Sequence, residues 1–496
     1  MNKLEKKRGQ YGKSALIAAL HYVIMLGIIL LYMIYVDPSG WILYIPQNLN
    51  MLLFMVLCIF LLYVAVFGYY SFENFEKLAS VKYMNAVYVV LELCVAISCI
   101  MGQSIHLYAR PIALMGLLCL FLFSKREAIF WNFIIAIMLF IVDTYTNYEP
   151  TMDTAISSGS DLYFSLVTSV TVGLIALFIG SKTKTRFASV MLGIPVTLLL
   201  EVIIVLLRIG QTDFFSPEML RLFGYGAIGG MSSVVFFVAL LPIFEKIFNI
   251  PTTYRIRELT SSNAPLMRKL KEEASGTFNH SLVVAQISEM CAAALGEDSE
   301  LARAVALYHD MGKLSRPECF TENQAGYNLH DELSPELSAD IIRSHAREGY
   351  ELILKHKLPK IFADVAVQHH GTLPIKYFYY KAQKMTDGVV KIEDFSYPGP
   401  KPDSKLAAIV MIADASEAAS RAITNRSVEN VEKIVREIIE ERLDLGQFTD
   451  CDITIKDLDT IKKTIVSSLT GVYHHRVKYP AIKFGREDRI EKGNNL

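Results

Sequence analysis

Long apolar segments, repeated through the first half of the chain, constrain its fold more than any other feature. A helix needs about 20 mostly apolar residues to cross the hydrocarbon core of a bilayer, and irregular backbone cannot satisfy its polar groups there. Seven such segments precede Phe248: 14–36, 50–71, 84–102, 127–146, 163–181, 187–207 and 222–246. An eighth, 111–124, is short by itself and is taken to begin near Ile105. The first half, residues 1–250, is therefore predicted to be a polytopic membrane helix bundle embedded in the lipid bilayer.

The basic residues between these segments predict the orientation of the bundle. Lys and Arg are enriched in the cytoplasmic loops of membrane proteins. Five basic residues precede the first segment, and with eight spans only Arg110, Arg208 and Arg221 fall on the opposite side. We therefore predict a multi-pass protein of the cell membrane whose N-terminus is cytoplasmic. An even number of spans returns the chain to the cytoplasm at Lys246, so the second half is predicted to be cytoplasmic too.

Three acidic residues and one glycine motif interrupt the apolar segments. Glu92 and Glu201 lie near mid-span, where carboxyl groups normally face the bundle interior or a polar cavity. Two interpretations stay open for them: a ligand or ion site, and a protonated, hydrogen-bonded packing contact. Asp143, near an outer end, is predicted to be interfacial. Residues 224–229 match the GxGxxG fingerprint, but nucleotide binding requires a soluble βαβ unit, so close helix packing is predicted instead.

The composition changes beyond Pro251, where Glu, Lys, Arg and Ala become frequent. Helical periodicity dominates and strand-like alternation is scarce, which predicts an all-α domain at residues 276–485. A linker helix at 251–275 is predicted to join it to the bundle, and a polar tail follows at 486–496. Residues 385–404 are too rich in Pro and Gly for a helix, and a long ordered loop of this kind is typical of a lid or binding loop.

Charge and cysteine content exclude two classes of protein. The net charge is −1, which provides no basic surface for a nucleic-acid polymer. The seven cysteines have no paired spacing, and four of them lie in apolar segments. A disulfide framework is therefore not expected.

Histidines and aspartates in the second half suggest a metal site. His309 is followed directly by Asp310, His369 and His370 are adjacent, and Asp414 stands alone in an otherwise apolar helix. A buried aspartate is costly unless its charge is paired or coordinates a metal. Imidazole and carboxylate ligands together suit Mn²⁺, Fe²⁺ or a similar ion better than Ca²⁺. Two such ions that share a bridging carboxylate can activate water and clamp a phosphate.

The order of these residues resembles the H…HD…D pattern of the HD phosphohydrolase superfamily. His280, the pair His309-Asp310 and Asp414 carry that pattern. Further segments are similar to those of the seven-transmembrane receptor-type HD hydrolases: GTFNHSLVVA, YHDMGKLSRPECFTENQ, SHAREGYELI, HHGT, YPGPKPDSK, ADASEAASR and YHHRVKYP. The resemblance implies a cytoplasmic HD domain that acts as a metal-dependent phosphodiesterase and hydrolyses cyclic di-AMP to linear pApA. The bundle would then be its sensor and regulator, and the choice of adenine rests on the resemblance alone.

The resemblance also implies the ligands of two divalent transition-metal ions, Mn²⁺ or Fe²⁺. Asp310 would bridge the two ions. The full implied ligand set is His280, His309, Asp310, His345, His369, His370 and Asp414.

Two basic residues are candidates for substrate contacts. Lys313 follows Asp310 at the spacing i, i+3, so its ammonium would contact a phosphate oxygen or assist the leaving group. Arg421 follows Asp414 by two helical turns, and two interpretations stay open: phosphate binding, and pairing with a nearby carboxylate. His330, in the segment NLHDELSP, is expected to face solvent.

The chain departs from the family in one respect. Its members usually carry a large extracytoplasmic domain after the first span, whereas here only Asp37–Asn48 separates the first two spans. A signal is therefore expected to arrive through the bundle or the lipid. The alternative functions are a phosphodiesterase for another cyclic dinucleotide, a nucleotide-binding receptor without turnover and, last, a transporter with a regulatory HD domain. A homodimer is left open.

Overall fold

The chain divides into two compact units, Met1–Glu258 and Leu259–Leu496. The computed structural model describes residues 3–36, 40–73, 75–145, 159–183, 185–208, 212–324, 326–386, 388–423, 425 and 427–472. Residues 473–485 of the predicted domain and the predicted tail at 486–496 lie outside these ranges. The described residues form helices and loops without a strand, which confirms the predicted all-α class. The domain boundaries stay a prediction.

The first unit, called the membrane unit below, is built from apolar helices. In chain order these are α1 (Lys3–Val36), α2 (Gly40–Glu73), α3 (Phe75–Ala79), α4 (Val81–Ser104), α5 (Leu114–Leu122), α6 (Lys125–Tyr145), α7 (Gly159–Gly180), α8 (Arg186–Val190), α9 (Gly193–Arg208), α10 (Pro217–Ile247) and α11 (Thr253–Leu259). Six described stretches are long and apolar enough to cross a bilayer, and Leu107–Leu122 and Leu166–Gly180 are shorter apolar stretches. Each stretch coincides with one of the eight predicted spans, in keeping with a polytopic membrane protein.

The segment between the first two predicted spans is partly helical. Residues 37–48 were predicted only to separate these spans, and α2 begins within them, at Gly40, and runs without interruption to Glu73. The segment contains the apolar sequence WILYI, and a helix satisfies the backbone polar groups of such a sequence internally.

Polar side chains inside the membrane unit are paired with one another. The guanidinium of Arg110 donates two hydrogen bonds of 2.7 Å to the carboxylate of Asp143. The two side chains are only 1% and 5% exposed, so Asp143 is buried against a basic partner, and its interfacial depth in the bilayer stays a prediction. Arg110 folds back into the bundle after α4, and this partner allows the carboxylate to be buried. The sequence could not indicate which residue would face Asp143.

The two mid-span glutamates have different surroundings. Glu92 Oε1 lies 2.8 Å from His21 Nδ1, while His21 Nε2 lies 2.9 Å from Asn85 Oδ1. The hydrogen-bonded packing contact is therefore the interpretation that the geometry favours for Glu92. Glu201 Oε2 has no hydrogen-bond partner among the described residues, so both interpretations stay open for Glu201.

The glycines of the fingerprint-like motif allow close helix packing, as predicted. A Cβ atom added at Gly229 would lie 2.3 Å from the carbonyl oxygen of Tyr108. A Cβ atom at Gly226 would lie 2.7 Å from Glu201 Oε1 and 2.8 Å from Ile204 Cδ1. Side chains at these positions would force the helices apart.

The second unit, called the helical unit below, contains nine described α-helices. They are α12 (Pro265–Glu273), α13 (Ser275–Leu295), α14 (Ser299–Tyr308), α15 (Pro335–Lys355), α16 (Lys360–Gln368), α17 (Lys376–Met385), α18 (Lys405–Ala422), α19 (Val428–Asp444) and α20 (Ile455–Val472). The predicted linker helix is therefore interrupted, because α11 ends at Leu259 and α12 begins at Pro265. Proline is favoured in the first turn of a helix, so Pro265 fits the start of α12.

Helix α18 lies at the centre of the helical unit. Residues Leu406 to Asp414 are all buried, and a helix that is apolar on all sides is typical of a core position. Helix α13 packs against α14, α18 and α20, while α15 packs against α16 and the 3₁₀ turn Met311–Ser315. This arrangement surrounds the polar residues of α18 with the ends of α14 and α16.

Candidate metal centre

Five segments of the helical unit bring the seven predicted ligands to one place. Three overlapping groups have ligating atoms within 4.8 Å of one another. Both His309 and His369 belong to two of these groups, so the groups form one continuous cluster. The groups are His280–His309–Asp414, His345–His369–His370 and His309–Asp310–His369.

The ends of two helices explain how neighbouring ligands converge. Helix α14 ends at Tyr308, so His309 and Asp310 begin the 3₁₀ turn Met311–Ser315. Helix α16 ends in the same way, with His369 as its C-cap and His370 directly after it. Consecutive residues in a continuing helix diverge around its axis. The helix ends allow both members of each pair to face the cluster.

Gly312 fixes the distance between the turn and α15. A Cβ atom there would lie 1.8 Å from the carbonyl oxygen of His345 and 2.6 Å from the amide nitrogen of Gly349. Only glycine permits this backbone contact, which places the imidazole of His345 beside Asp310. The sequence analysis did not identify Gly312 as a determinant of the site.

Asp310 lies at the centre of the cluster, and each of its two carboxylate oxygens faces a different pair of histidines. Its Oδ1 atom lies 3.3 Å from His345 Nε2 and 3.7 Å from His369 Nε2. Its Oδ2 atom lies 3.2 Å from His309 Nε2 and 3.7 Å from His280 Nε2. The side chain is buried, Oδ2 also lies 2.8 Å from the ammonium of Lys313, and Oδ1 has no hydrogen-bond partner among the described residues. A carboxylate with two such sides is suited to bridging two cations.

The imidazoles of three histidines are held in one orientation. Nδ1–H of His309, His345 and His369 donates to the carbonyl oxygen three residues earlier, at 2.7, 2.5 and 2.8 Å. A carbonyl oxygen can only accept, so Nδ1 carries the proton and Nε2 presents a lone pair. The Nε2 atoms of His345 and His369 are 3.4 Å apart, and two lone pairs at this distance repel unless a cation lies near both. Metal-bound histidines commonly have such an orienting partner.

The pKa shifts of four cluster residues favour the protonation states that a metal requires. Burial lowers the pKa of His369 to about 3, and burial also lowers the pKa of His370. Burial opposes ionisation of Asp310 and Asp414, but neighbouring positive groups hold the pKa of both carboxyls well below its usual range. Neutral imidazoles and ionised carboxylates are the forms that bind metal. Together with Asp310 Oδ1, which has no hydrogen-bond partner among the described residues, they fit the predicted metal site.

His280 differs from the other histidines of the cluster because it forms hydrogen bonds with two carboxylates. Its Nε2 atom lies 3.0 Å from Asp414 Oδ1, and its Nδ1–H donates to Glu417 Oε2 at 2.6 Å. Burial alone would lower the pKa of His280. The hydrogen bonds to Asp414 and Glu417 outweigh this effect and raise the pKa to about 10. A cation beside Asp414 would take the place of the proton on Nε2.

Lys313 is held between two carboxylates next to the cluster. Its Nζ atom lies 2.8 Å from Asp310 Oδ2 and 2.8 Å from Glu322 Oε1. Thr277 Oγ1 donates to the same Glu322 oxygen at 3.0 Å. Burial lowers the pKa of Lys313, but Asp310 and Glu322 raise it above its ordinary value, so the ammonium is charged. The sequence analysis missed Glu322, which lies in a 3₁₀ turn without any periodic signal.

Arg421 pairs with a carboxylate that the sequence analysis also missed. Its Nη2 and Nε atoms donate to Glu417 Oε2 at 2.6 Å and to Oε1 at 3.1 Å. Carboxylate pairing, one of the two interpretations left open for Arg421, therefore occurs in the structure. Glu417 follows Asp414 at the spacing i, i+3, and this spacing was the one signal that pointed to it.

A cavity of about 370 Å³ opens beside the cluster. Its wall combines ligand residues with the two basic side chains and their carboxylate partners. The lining residues are His280, Lys313, Thr321, Glu322, Asp414, Glu417, Ala418, Arg421 and Ala422. Both positive side chains therefore reach a space next to the predicted metal ligands, as anion binding requires.

The loop predicted at 385–404 reaches the cluster from another side. Tyr397 N–H donates to the carbonyl oxygen of Leu373 at 3.0 Å, and the Tyr397 ring stacks on the imidazole of His370 with centroids 4.3 Å apart. The loop thus covers part of the site. Whether it is a lid stays a prediction.

His330 does not face solvent, contrary to the sequence-based expectation. It is buried, its Nε2–H donates to the carbonyl oxygen of Cys319 at 2.8 Å, and its ring packs against Phe378. This hydrogen bond and ring contact stabilise the imidazole in the interior. His330 belongs to none of the ligand groups.

Two family profiles match the chain. Residues 45–252 match the family described as "7TM receptor with intracellular HD hydrolase", and residues 277–419 match the HD domain. The first match contains seven of the eight predicted spans. The remaining span, at 14–36, precedes it.

Curated relatives and solved structures extend this likeness. The chain is 38% identical over 437 residues to the cyclic-di-AMP phosphodiesterase PgpH of Bacillus subtilis, covering 84% of this chain and 59% of that protein. It is 43% identical over 279 residues to PgpH of Listeria monocytogenes, and this match covers 56% of this chain and 39% of that protein. A crystal structure of the L. monocytogenes PgpH HD domain in complex with cyclic-di-AMP is 45% identical, with a TM-score of 0.42 over 43% of this chain and 100% of that one. The chain thus spans less than two thirds of the length of these curated relatives.

Proposed function

Because this chain belongs to the family of seven-transmembrane receptors with an intracellular HD hydrolase, we propose that it is a membrane-bound, metal-dependent phosphodiesterase that hydrolyses cyclic di-AMP to linear pApA. The observation that supports this proposal most is the position of Asp310, whose two oxygens face two different pairs of histidines. The activity of the relatives named PgpH supports the choice of substrate. In this proposal the helical unit is cytoplasmic, where cyclic dinucleotides are signals.

The proposed cofactor is a pair of divalent ions, Mn²⁺ or Fe²⁺. His280, His309 and Asp414 would hold one ion, His345, His369 and His370 would hold the other, and Asp310 would contact both. When bound, such ions provide Lewis acidity that activates water and neutralises phosphate charge. The reaction adds water to phosphorus and breaks the bond to the ribose 3′ oxygen, which leaves one 5′ phosphate and one free 3′ hydroxyl.

The side chains of the cavity would position the substrate for this reaction. Lys313 would place its ammonium against a phosphate oxygen, because Asp310 and Glu322 fix it at the cavity wall. A charge that is already oriented stabilises developing negative charge without further reorganisation. Arg421 would approach a second phosphate from the same wall while Glu417 holds it. Tyr397 would limit access of water on the side of His370.

The full chain in detergent micelles is expected to convert cyclic di-AMP to pApA when Mn²⁺ is supplied. Separation of the products by chromatography measures the conversion, with cyclic di-GMP as the competing substrate. Lys313→Met should slow turnover roughly 10²-fold, the scale for losing one preorganised positive or hydrogen-bonding group at a reacting centre. The matched control is Lys355→Met in the last turn of α15, which should retain the wild-type rate.

Two outcomes would contradict parts of this proposal. If the chain hydrolysed cyclic di-GMP and left cyclic di-AMP unchanged, cyclic di-AMP would be excluded as the substrate. The proposed phosphodiester hydrolysis would still stand. Tight binding of cyclic di-AMP by the Mn²⁺-loaded chain without any product would exclude the enzyme and favour a nucleotide-binding receptor.

A further inference from the structure

His280 is oriented in a different way from three other histidines of the cluster. His309, His345 and His369 are fixed by carbonyl groups of their own helices. The Nδ1–H of His280 instead donates to Glu417, a residue of another helix 137 positions away. The orientation of this one ligand therefore depends on a side chain, which substitution can remove without altering the backbone.

Helix α18 presents three consecutive charged groups along one face. Asp414, Glu417 and Arg421 are spaced i, i+3 and i+7, so their side chains follow one another on the surface of the helix. Glu417 is only 2% exposed. One of its oxygens accepts from His280, and both accept from Arg421. A buried carboxylate needs such partners to stay ionised, and Arg421 supplies the positive charge.

We propose that Glu417 is a positioning residue for the metal centre, which acts by fixing the tautomer and ring orientation of His280. This inference rests on the proposed function, because it assigns His280 to one of the two ions. A carboxylate behind the imidazole keeps the proton on Nδ1 and directs Nε2 toward Asp310 and Asp414, where a cation would replace the proton on Nε2. It also makes the imidazole a stronger donor to a cation. Arg421 in turn holds Glu417 in place.

The proposal predicts an effect on one ion only. Loss of an orienting partner typically reduces metal affinity roughly 10–100-fold. Among the described residues, Glu417 forms a hydrogen bond with His280 but with none of His345, His369 and His370. Substitution of Glu417 should therefore weaken the ion held by His280, His309 and Asp414 and leave the affinity for the other ion unchanged.

The test is a Mn²⁺ titration of the metal-stripped full chain in detergent, followed by the electron paramagnetic resonance signal of free Mn²⁺. Glu417→Gln, which keeps the size but not the charge, and Glu417→Ala are compared with the wild-type chain. The matched control is Glu289→Gln on α13, the helix of His280, which removes a carboxylate paired with Arg303 at the surface. Thermal unfolding of each metal-stripped variant reports whether the fold is retained.

We expect both Glu417 variants to bind one Mn²⁺ with wild-type affinity and the other at least tenfold more weakly, while Glu289→Gln binds both normally. Wild-type affinity for both ions in the two Glu417 variants would overturn the proposal. Equal weakening of both ions in Glu417→Gln, with a lowered unfolding temperature, would also overturn it, because it would indicate a general structural role. A wild-type chain that binds Mn²⁺ but leaves cyclic di-AMP unchanged would contradict the proposed function and not the role of Glu417.

Discussion

Replacing Asp310 by asparagine is expected to abolish hydrolysis of cyclic di-AMP and to remove bound metal. Each carboxylate oxygen of Asp310 faces two histidine Nε2 atoms. Asparagine keeps the shape of the side chain but loses its negative charge. Its amide NH₂ group offers no lone pair to a cation, so one of the two coordinating atoms is lost. The loss should exceed the roughly 10–100-fold typical for a residue that only orients a ligand. Metal content and the rate of pApA formation are the two measurements.

The matched control for this variant is Asp340→Asn. Asp340 lies on α15, five residues before His345, and its exposed side chain pairs with Arg343. The control should keep its metal and its rate. An Asp310→Asn chain with both ions and full turnover would contradict the central position of this residue.

Replacing Gly312 by alanine is expected to disrupt the helical unit and, with it, the metal centre. The added Cβ would collide with two backbone atoms of α15, at 1.8 and 2.6 Å. Backbone atoms inside a helix cannot move aside as the end of a flexible side chain can, so α15 must separate from the turn that carries Asp310. Overpacking of this kind costs about 1–3 kcal/mol and occasionally more. Because the contact is with backbone atoms at such short distances, we expect the cost of Gly312→Ala to lie at the upper end of this range.

Thermal unfolding and metal content of the full chain measure this effect. Gly388→Ala is the control, since a Cβ there would meet only Thr386 Cγ2 at 3.9 Å. We expect a large fall in unfolding temperature and loss of metal for Gly312→Ala, and no change for the control. Normal stability and metal content in Gly312→Ala would show that α15 and the turn can separate without loss of the site.

The residues of the candidate metal centre could be singled out in the sequence because such side chains are uncommon in a helical core. An aspartate within the apolar helix α18, and histidines in a fixed order, stand out against their neighbours. Glu417 and Glu322 do not stand out, because glutamate is common on helix surfaces and in turns. Their importance depends on which atoms face them across the fold: His280 for Glu417 and Lys313 for Glu322.

In the membrane unit, too, the sequence predicted the helices but not the partners of their buried polar side chains. Hydropathy located the eight apolar segments, since the length and composition of a span are local properties. It could not predict that Arg110 would be buried against Asp143, or that His21 would bond to Glu92. Both contacts join residues from different helices, and their existence depends on the packing of the whole bundle. The sequence therefore placed Asp143 near the end of a span without indicating its basic partner.

The dependence of turnover on metal tests the central claim most directly. The metal-stripped full chain would be titrated with Mn²⁺ while formation of pApA from cyclic di-AMP is followed. We predict no turnover without metal and a rate that reaches its maximum when two ions are bound per chain, one for each side of Asp310. Undiminished turnover by the metal-stripped chain would contradict the claim.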